Sequence, residues 1–338
     1  MKTKNIGLFI FALPIVLVLI SACKADEKPK YSDYREFFSI NNNTINIYSR
    51  KVTDTINIAL FSDTHLSLKD DREKPYEQYS KRMSEAYIAT KHYKTGQETS
   101  PQTEFTEAVK TARNKNVDLL ALLGDIFSYP SEYAVEWADS VLNASKLAYI
   151  YIAGNHDWHY EGMQGSSAEL RETWINNRLL PLYQGKNPLF YSVDIKGLKI
   201  IAIDNSTYEI SDEQLSFFLQ EVKSNSPIIL MMHIPLYMPD RPITYGCAHP
   251  NWKKENDRIY ELERREPWPE KGHTTTTMQF REEVLNTPNL IAVISGHIHN
   301  QSLDVINGLP LFVMKENATG NHYNIRVIPM QNNRLSNN

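Results

Sequence analysis

The sequence predicts an α/β fold built on stacked sheets. Three observations lead there. Short apolar runs alternate with longer amphipathic or polar stretches along most of the chain. The early runs are each followed by a helical pattern, whereas the late ones lie close together, as the strands of hairpins do. Hydrophobic residues make up 41% of the 338 positions against 22% charged, enough to fill a sizeable core and to exclude a disordered, collagen-like or coiled-coil chain.

In chain order, the apolar run at 56–61 reads as the first strand, followed by a helix at 103–115 and a strand at 117–123. A helix at 132–145, a strand at 147–153 and a helix at 168–178 continue the alternation. Strands at 190–193 and 199–203 precede a helix at 212–224, where Ser211 and Gln214 stand at the two positions of a capping box. The strand at 228–232, the helix at 278–286 and strands at 290–294, 311–314 and 324–328 complete the pattern. Residues 66–102 and 236–277 break it. They are polar and aromatic, longer than ordinary connections, and each directly follows a motif described below, so both are expected to wall a site. The domain is therefore placed at 51–330, with a polar tail at 331–338 and no internal repeats.

The first residues read differently. Lys2 and Lys4 precede the apolar run Ile6–Ile20, which as a helix would span about 22 Å, short of the roughly 30 Å of a bilayer core. A basic start, a short apolar run and small residues after it are the marks of an export signal. The run ends Leu19-Ile20-Ser21-Ala22-Cys23 and resembles a bacterial lipoprotein signal. That resemblance implies removal of residues 1–22, lipid on Cys23, and attachment of an exported protein to a bacterial membrane. Residues 23–50 would be tether and lead-in. Two cysteines, Cys23 and Cys247, make no disulfide framework, and a net charge of −4 excludes a general nucleic-acid binder.

Five short motifs stand where apolar runs end: Ser62-Asp63-Thr64-His65, Gly124-Asp125, Gly154-Asn155-His156-Asp157, His233-Ile234-Pro235 and Gly296-His297-Ile298-His299. The carboxyl ends of strands in an α/β sheet are where side chains converge on a ligand. Residues i and i+2 of a strand share a face, so Asp63 with His65, and His297 with His299, are expected to aim paired ligand atoms at one point. Carboxylate, imidazole and amide oxygen together suit divalent metals of intermediate hardness. Each motif alone has an ordinary structural reading. All five in this order do not.

On these motifs, over roughly residues 55 to 328, the chain resembles the calcineurin-like metallophosphoesterases. The resemblance implies a four-layer α/β/β/α sandwich with two metal ions (manganese, iron, zinc or a mixture). Asp63, His65 and His299 would hold one and Asn155, His233 and His297 the other, with Asp125 between them. It further implies phosphoester hydrolysis by a water that two metals make acidic, with His156 contacting the phosphoryl group or protonating the leaving oxygen. Asp157 would orient His156, and His159 is expected at the surface. Related purple acid phosphatases carry Gly-Asp-x-x-Tyr; here Ser128 stands in that position and Tyr129 follows one residue late, which argues against a tyrosine-ligated ferric ion. Candidate substrate contacts are Arg241, Trp252, Arg264 and Trp268 in the second long segment, with His273 beside them, and Arg82, Lys91 and His92 in the first. The partners expected are a phosphoester substrate (small molecule, lipid or nucleotide) and, through the lipid, a membrane. Two other classes were weighed. A metal-holding lipoprotein without turnover would lack a ligand or His156, and neither is missing. An amidase or lactonase would carry a His-x-His-x-Asp-His cluster, absent here.

Overall fold

The structure, a computed structural model, describes residues 37–86, 90–236 and 273–330, all within the unit Arg35–Asn338. Cys23, Cys247, Arg241, Trp252, Arg264 and Trp268 lie outside the described residues. The elements are β1 (Phe37–Asn41), β2 (Thr44–Ser49), β3 (Ile56–Phe61), α1 (Glu77–Ala86), β4 (Thr90–Lys91), β5 (Glu98–Thr99), α2 (Pro101–Asn114), β6 (Leu119–Leu123) and α3 (Glu132–Ser145). Then come β7 (Tyr149–Ile152), α4 (Ser167–Trp174), α5 (Leu180–Tyr183), β8 (Phe190–Ile195), β9 (Leu198–Ile203), α6 (Asp212–Glu221), β10 (Ile228–Met231) and α7 (Thr275–Asn286). The last four are β11 (Leu290–Ser295), β12 (Ser302–Ile306), β13 (Leu309–Val313) and β14 (Tyr323–Pro329).

Two six-stranded mixed sheets form, in the orders β1-β2-β14-β3-β6-β7 and β12-β13-β11-β10-β9-β8. Their central strands β3, β6 and β7, and β13, β11, β10 and β9, run parallel to one another. Strands buried on both faces read as near-continuous apolar runs, as β6 (Leu-Leu-Ala-Leu-Leu) does. Ile200, Ala202, Ile229, Met231, Ala292, Ile294 and Phe312 of the second sheet share a core with the first sheet and with α2 and α3. Their alternates Ile201, Ile203, Leu230, Val293 and Leu311 pack with Leu215 and Phe218 of α6 and Phe280 and Val284 of α7. This period of two assigns each face and gives helices, sheet, sheet and helices in four layers. Aromatic contacts lock the layers: Phe61 meets Phe105 of α2 edge-on at 5.4 Å, and Phe218 meets Phe280 at 5.0 Å.

Local chemistry starts and stops the helices. Ser100 caps α2 ahead of Pro101, which needs no amide partner there. Ser131 caps α3, and Ser211 with Gln214 forms the expected capping box of α6. The segment expected as a helix at 168–178 is α4 followed by a π turn over Ile175–Leu179. Arg178, in that turn, donates to Pro130 O (2.6 Å) and Tyr160 Oη (3.0 Å) and lies over the rings of Tyr76 and Trp174. Among the described residues no helix is long and apolar enough to cross a membrane.

The sheets differ from expectation at their edges. Part of the stretch 23–50, expected as tether and lead-in, forms β1 and β2, with Ile45 and Ile47 buried in the core. β12 is a further strand, paired to β13 through the left-handed turn Asn307-Gly308. The segment 66–102 holds α1, β4 and β5 and a 3-10 turn over Asp71–Tyr76.

β7 is an edge strand whose outward backbone needs partners. Tyr191 of β8 supplies both: its hydroxyl donates to Tyr151 O (2.8 Å) and accepts from Tyr151 N–H (3.0 Å), joining the two sheets. Tyr191→Phe leaves a buried amide and carbonyl unmet. A loss of about 1–3 kcal/mol in urea denaturation is the expected outcome.

Candidate metal centre

The motif residues gather because five loops leave neighbouring strands at the same end of the two sheets. Beyond β3 and β6 the chains continue side by side, with Asp63 N–H donating to Gly124 O (2.9 Å) and His65 N–H to Asp125 O (3.0 Å). Gly124 has φ +81, and a Cβ there would stand 2.7 Å from the His233 ring, so glycine permits the approach of the loop after β10. A Cβ on Gly296 would stand 2.6 Å from Asp63 Oδ2.

Asp63, His65, Asp125, Asn155, His233, His297 and His299 are all buried. Three groups of ligand atoms lie within 4.8 Å of one another: Asp63, His65 and His299; Asp125, His233 and His297; and His65, Asp125 and His156. His65 Nε2 is 3.0 Å from His299 Nε2, which is 3.3 Å from Asp63 Oδ1. His233 Nδ1–H donates to Leu123 O (2.7 Å), which turns Nε2 toward Asp125 Oδ2 at 3.2 Å. Those last two buried atoms make no hydrogen bond of good geometry. Lone pairs converging from carboxylates and imidazoles, with buried donor atoms unmet, fit a divalent cation. Asn155 is buried between Gly154 and His156 in the loop after β7.

The sequence expected Asp63/His65 and His297/His299 to share strand faces. The structure corrects this: all four lie past the strand ends with left-handed backbone, φ 55°, 57°, 74° and 49°. Asp125 does the same at φ 49°. Convergence here comes from backbone that ordinary residues rarely adopt.

Asp157 also departs from expectation. Its carboxylate accepts from Phe127 N–H (2.8 Å) and Gly154 N–H (2.7 Å), so it braces the loops after β6 and β7. The His156 ring instead places Nδ1 3.4 Å from Ser128 O and stands edge-on to His65 at 4.9 Å. At 9% exposure it is the most open of the motif residues. His159, expected at the surface, is buried against Trp158. Ser128 donates to His65 O and Tyr129 to Ser67 O, so this tyrosine's hydroxyl is spent on the loop backbone.

Of the other candidates, Arg82 pairs with Glu161 through two bonds (2.7 and 2.6 Å). Lys91 is exposed on β4, His92 Nδ1 accepts from Lys94 N–H, and His273 Nδ1 faces Glu209 Oε1 at 3.4 Å. The sequence reading missed the loop after β9. Asn205 and Ser206 bind the neighbouring loops, and Tyr208 Oη stands 3.5 Å from His297 Nε2. Its signal was the same as that of the motifs: an apolar strand ending in Asp204-Asn205-Ser206.

Charge sets the protonation of the metal-free cluster. Burial lowers His65 to about 3, with His299 adding to the effect. Burial also opposes charge on His233, but the Asp125 carboxylate outweighs it and raises His233 to about 9. Asp63 and Asp125 are raised by burial and pulled further down by His299 and His233 respectively, ending low. Burial and then Asp125 push Asp157 up to about 8, against two amide donors that favour its anion.

A model of the calcineurin-like phosphoesterase family matches residues 56–301. A probable cyclic nucleotide phosphodiesterase of Fibrobacter succinogenes is 29% identical over 132 residues, 39% of this chain and 47% of that protein. A second, of Moraxella catarrhalis, is 38% identical over 57 residues, 17% of this chain and 21% of that one. The chain thus spans less than half the length of the curated relatives it matches. A dimetal phosphatase from Danio rerio aligns at TM-score 0.48 and 12% identity, covering 78% of this chain and 88% of its own.

A divalent ion entering the metal-free cluster competes with protons. The raised value of His233 means that its proton stabilises the fold fully below pH 6.5 and that this contribution is lost as pH rises through about 9. His65 is the reverse: its contribution is present above 6.5 and lost as pH falls toward about 3. At pH 7.5 metal uptake is therefore expected to displace the His233 proton and none from His65. Binding heat measured in buffers of different ionisation enthalpy checks this. Proton release should decline as the pH passes about 9.

Proposed function

Because the chain belongs to the calcineurin-like phosphoesterase family, we propose that it hydrolyses phosphoester bonds with metal ions held by its buried aspartate–histidine cluster. The observation that carries this reading is the clustering of three overlapping ligand groups that share His65 and Asp125. Shared members suit two neighbouring ions better than one. Asp63, His65 and His299 would hold the first, Asn155, His233 and His297 the second, and Asp125 would lie between. When bound, such ions neutralise charge on phosphoryl oxygens and make water acidic enough to react near neutral pH.

The chain's own groups do the rest. Burial keeps His65 neutral and so ready to ligate. Leu123 O holds the His233 ring by its Nδ1–H and leaves Nε2 for the cluster. His156, more open than the others and beside His65 and Asp125, is placed to donate to a phosphoryl oxygen or to the leaving alkoxide. Asp157 serves this site by holding Gly154 and Phe127, and through them the loop of Asn155 and His156. Two relatives are named probable cyclic nucleotide phosphodiesterases, so a cyclic nucleotide is the phosphodiester to try first, beside nitrophenyl mono- and diesters. Export and lipidation at Cys23 complete the proposal. Their support is the Leu-Ile-Ser-Ala-Cys sequence after a short apolar run.

Asp125→Asn is expected to lose metal and to lower turnover of the preferred ester by roughly 10²-fold or more. His156→Gln should keep its metal and lower kcat by roughly 10²–10⁴-fold. Metal analysis and a panel of the three esters across manganese, iron and zinc reconstitution decide it; failure of the wild type to bind any of these ions would sink the reading.

Lipidation is tested apart from catalysis. Mass spectrometry of protein made in bacteria should find Cys23 as the diacylated N-terminal residue, and Cys23→Ser should abolish this. An unprocessed N-terminus would remove the basis for membrane attachment.

A further inference from the structure

The loop after β9 is bolted to two of the motif loops. The Asn205 side chain donates to Ile234 O (2.7 Å) and accepts from Ile234 N–H (3.0 Å), one residue past His233. Ser206 Oγ accepts from Trp158 Nε1 (2.8 Å), one residue past Asp157, and Asp204 Oδ1 accepts from Ser206 N–H (2.8 Å). On this mount Tyr208 has φ 68°, a conformation costly for an aromatic residue and sustained only where surroundings enforce it. Its ring stands edge-on to His297 at 5.6 Å, with Oη 3.5 Å from Nε2.

We infer that Tyr208 is a positioning residue for His297: its phenol oxygen accepts the Nε2–H, selects that tautomer, and leaves Nδ1 as the nitrogen presented to Asp125 and His233. A ligating imidazole whose second nitrogen is hydrogen-bonded is fixed in both tautomer and ring orientation. His233 has its Nδ1–H held by Leu123 O. Tyr208 does the equivalent for His297 from the opposite nitrogen, and its strained, triply tied loop supplies the rigidity. The inference rests on the reading of Asp125, His233 and His297 as a metal group.

Nitrogen-15 histidine NMR on the metal-free protein, with His297 assigned through His297→Asn, reads the tautomer without metal or substrate. The Nε2–H form is expected in the wild type and a mixture in Tyr208→Phe. Competition with a chromogenic chelator should find zinc affinity lowered roughly tenfold or more in Tyr208→Phe, with the metal-free melting temperature unchanged. An Nδ1–H tautomer in the wild type would overturn the inference. So would an unchanged zinc affinity in the variant, and so would a raised KM at unchanged affinity, which would assign the phenol to substrate. A wild type that binds no zinc defeats the metal reading itself, and the tautomer result tells that failure from a failure of the Tyr208–His297 pair.

Discussion

The centre depends on carboxylates that accept backbone amides from the next loop. Asp63, after β3, accepts from His297 N–H, after β11. Asp125, after β6, accepts from His156 N–H, after β7. Asp157, after β7, accepts in return from Phe127 N–H, after β6. Each bond is charge-assisted and buried, the setting in which such bonds are strongest and their loss dearest. Together with Asp63 N–H to Gly124 O and Gly296 N–H to His233 O, they join strands of both sheets into one rim. The ligating acids are therefore structural before any metal arrives. A substitution such as Asp→Asn replaces an acceptor by a donor aimed at an amide, so it loosens the rim as well as removing a charge.

That rim explains the backbone strain. Five of the seven expected ligands have positive φ, and each such residue costs on the order of 1 kcal/mol or more. A strand would send alternate side chains to opposite faces, and its reach would stop at the sheet edge. Left-handed residues turn the chain back so that Asp63 and His65, or His297 and His299, point to one place past the edge. The layered core beneath, with its near-continuous apolar strands, offsets the strain. The same logic extends to the loop after β9, where Tyr208 is held at φ 68° by two neighbouring loops.

What could be read in advance follows from this division. The apolar runs of β3, β6, β9, β10 and β11 declare buried strands, and helix α3 was placed at its observed ends, because burial on both faces leaves an unmistakable pattern. The edges were harder. β2 buries Ile45 and Ile47 through an alternating Thr-Ile-Asn-Ile sequence, a legible pattern passed over beside polar asparagines. β12 was passed over although Asn307-Gly308 is a strong hairpin signal, because its alternate residues Leu303 and Val305 face outward and Asp304 interrupts the run. At the site, the motifs identified the residues that gather, but spacing assigned them to strands where the structure has left-handed loops. Asp157 lay beyond sequence reasoning altogether, since an acid next to a histidine gives no hint that its two oxygens will be taken by amides thirty and three residues away.

Protonation of the metal-free cluster follows the same geometry. Two low carboxylates at full burial need compensation, and His233 and His299, both raised, provide it. His65 cannot share that task, because His299 at 3.0 Å already carries positive charge beside it. One imidazole of the facing pair thus stays neutral while the other is held charged by Asp63. A cation between them would remove the need for either proton and relieve the repulsion at once. Burial makes this decisive: in water the carboxylates would simply be solvated, whereas here only protons or a metal ion can balance them. The closed, dry setting that makes the cluster costly to assemble is what makes it selective for a compact positive charge.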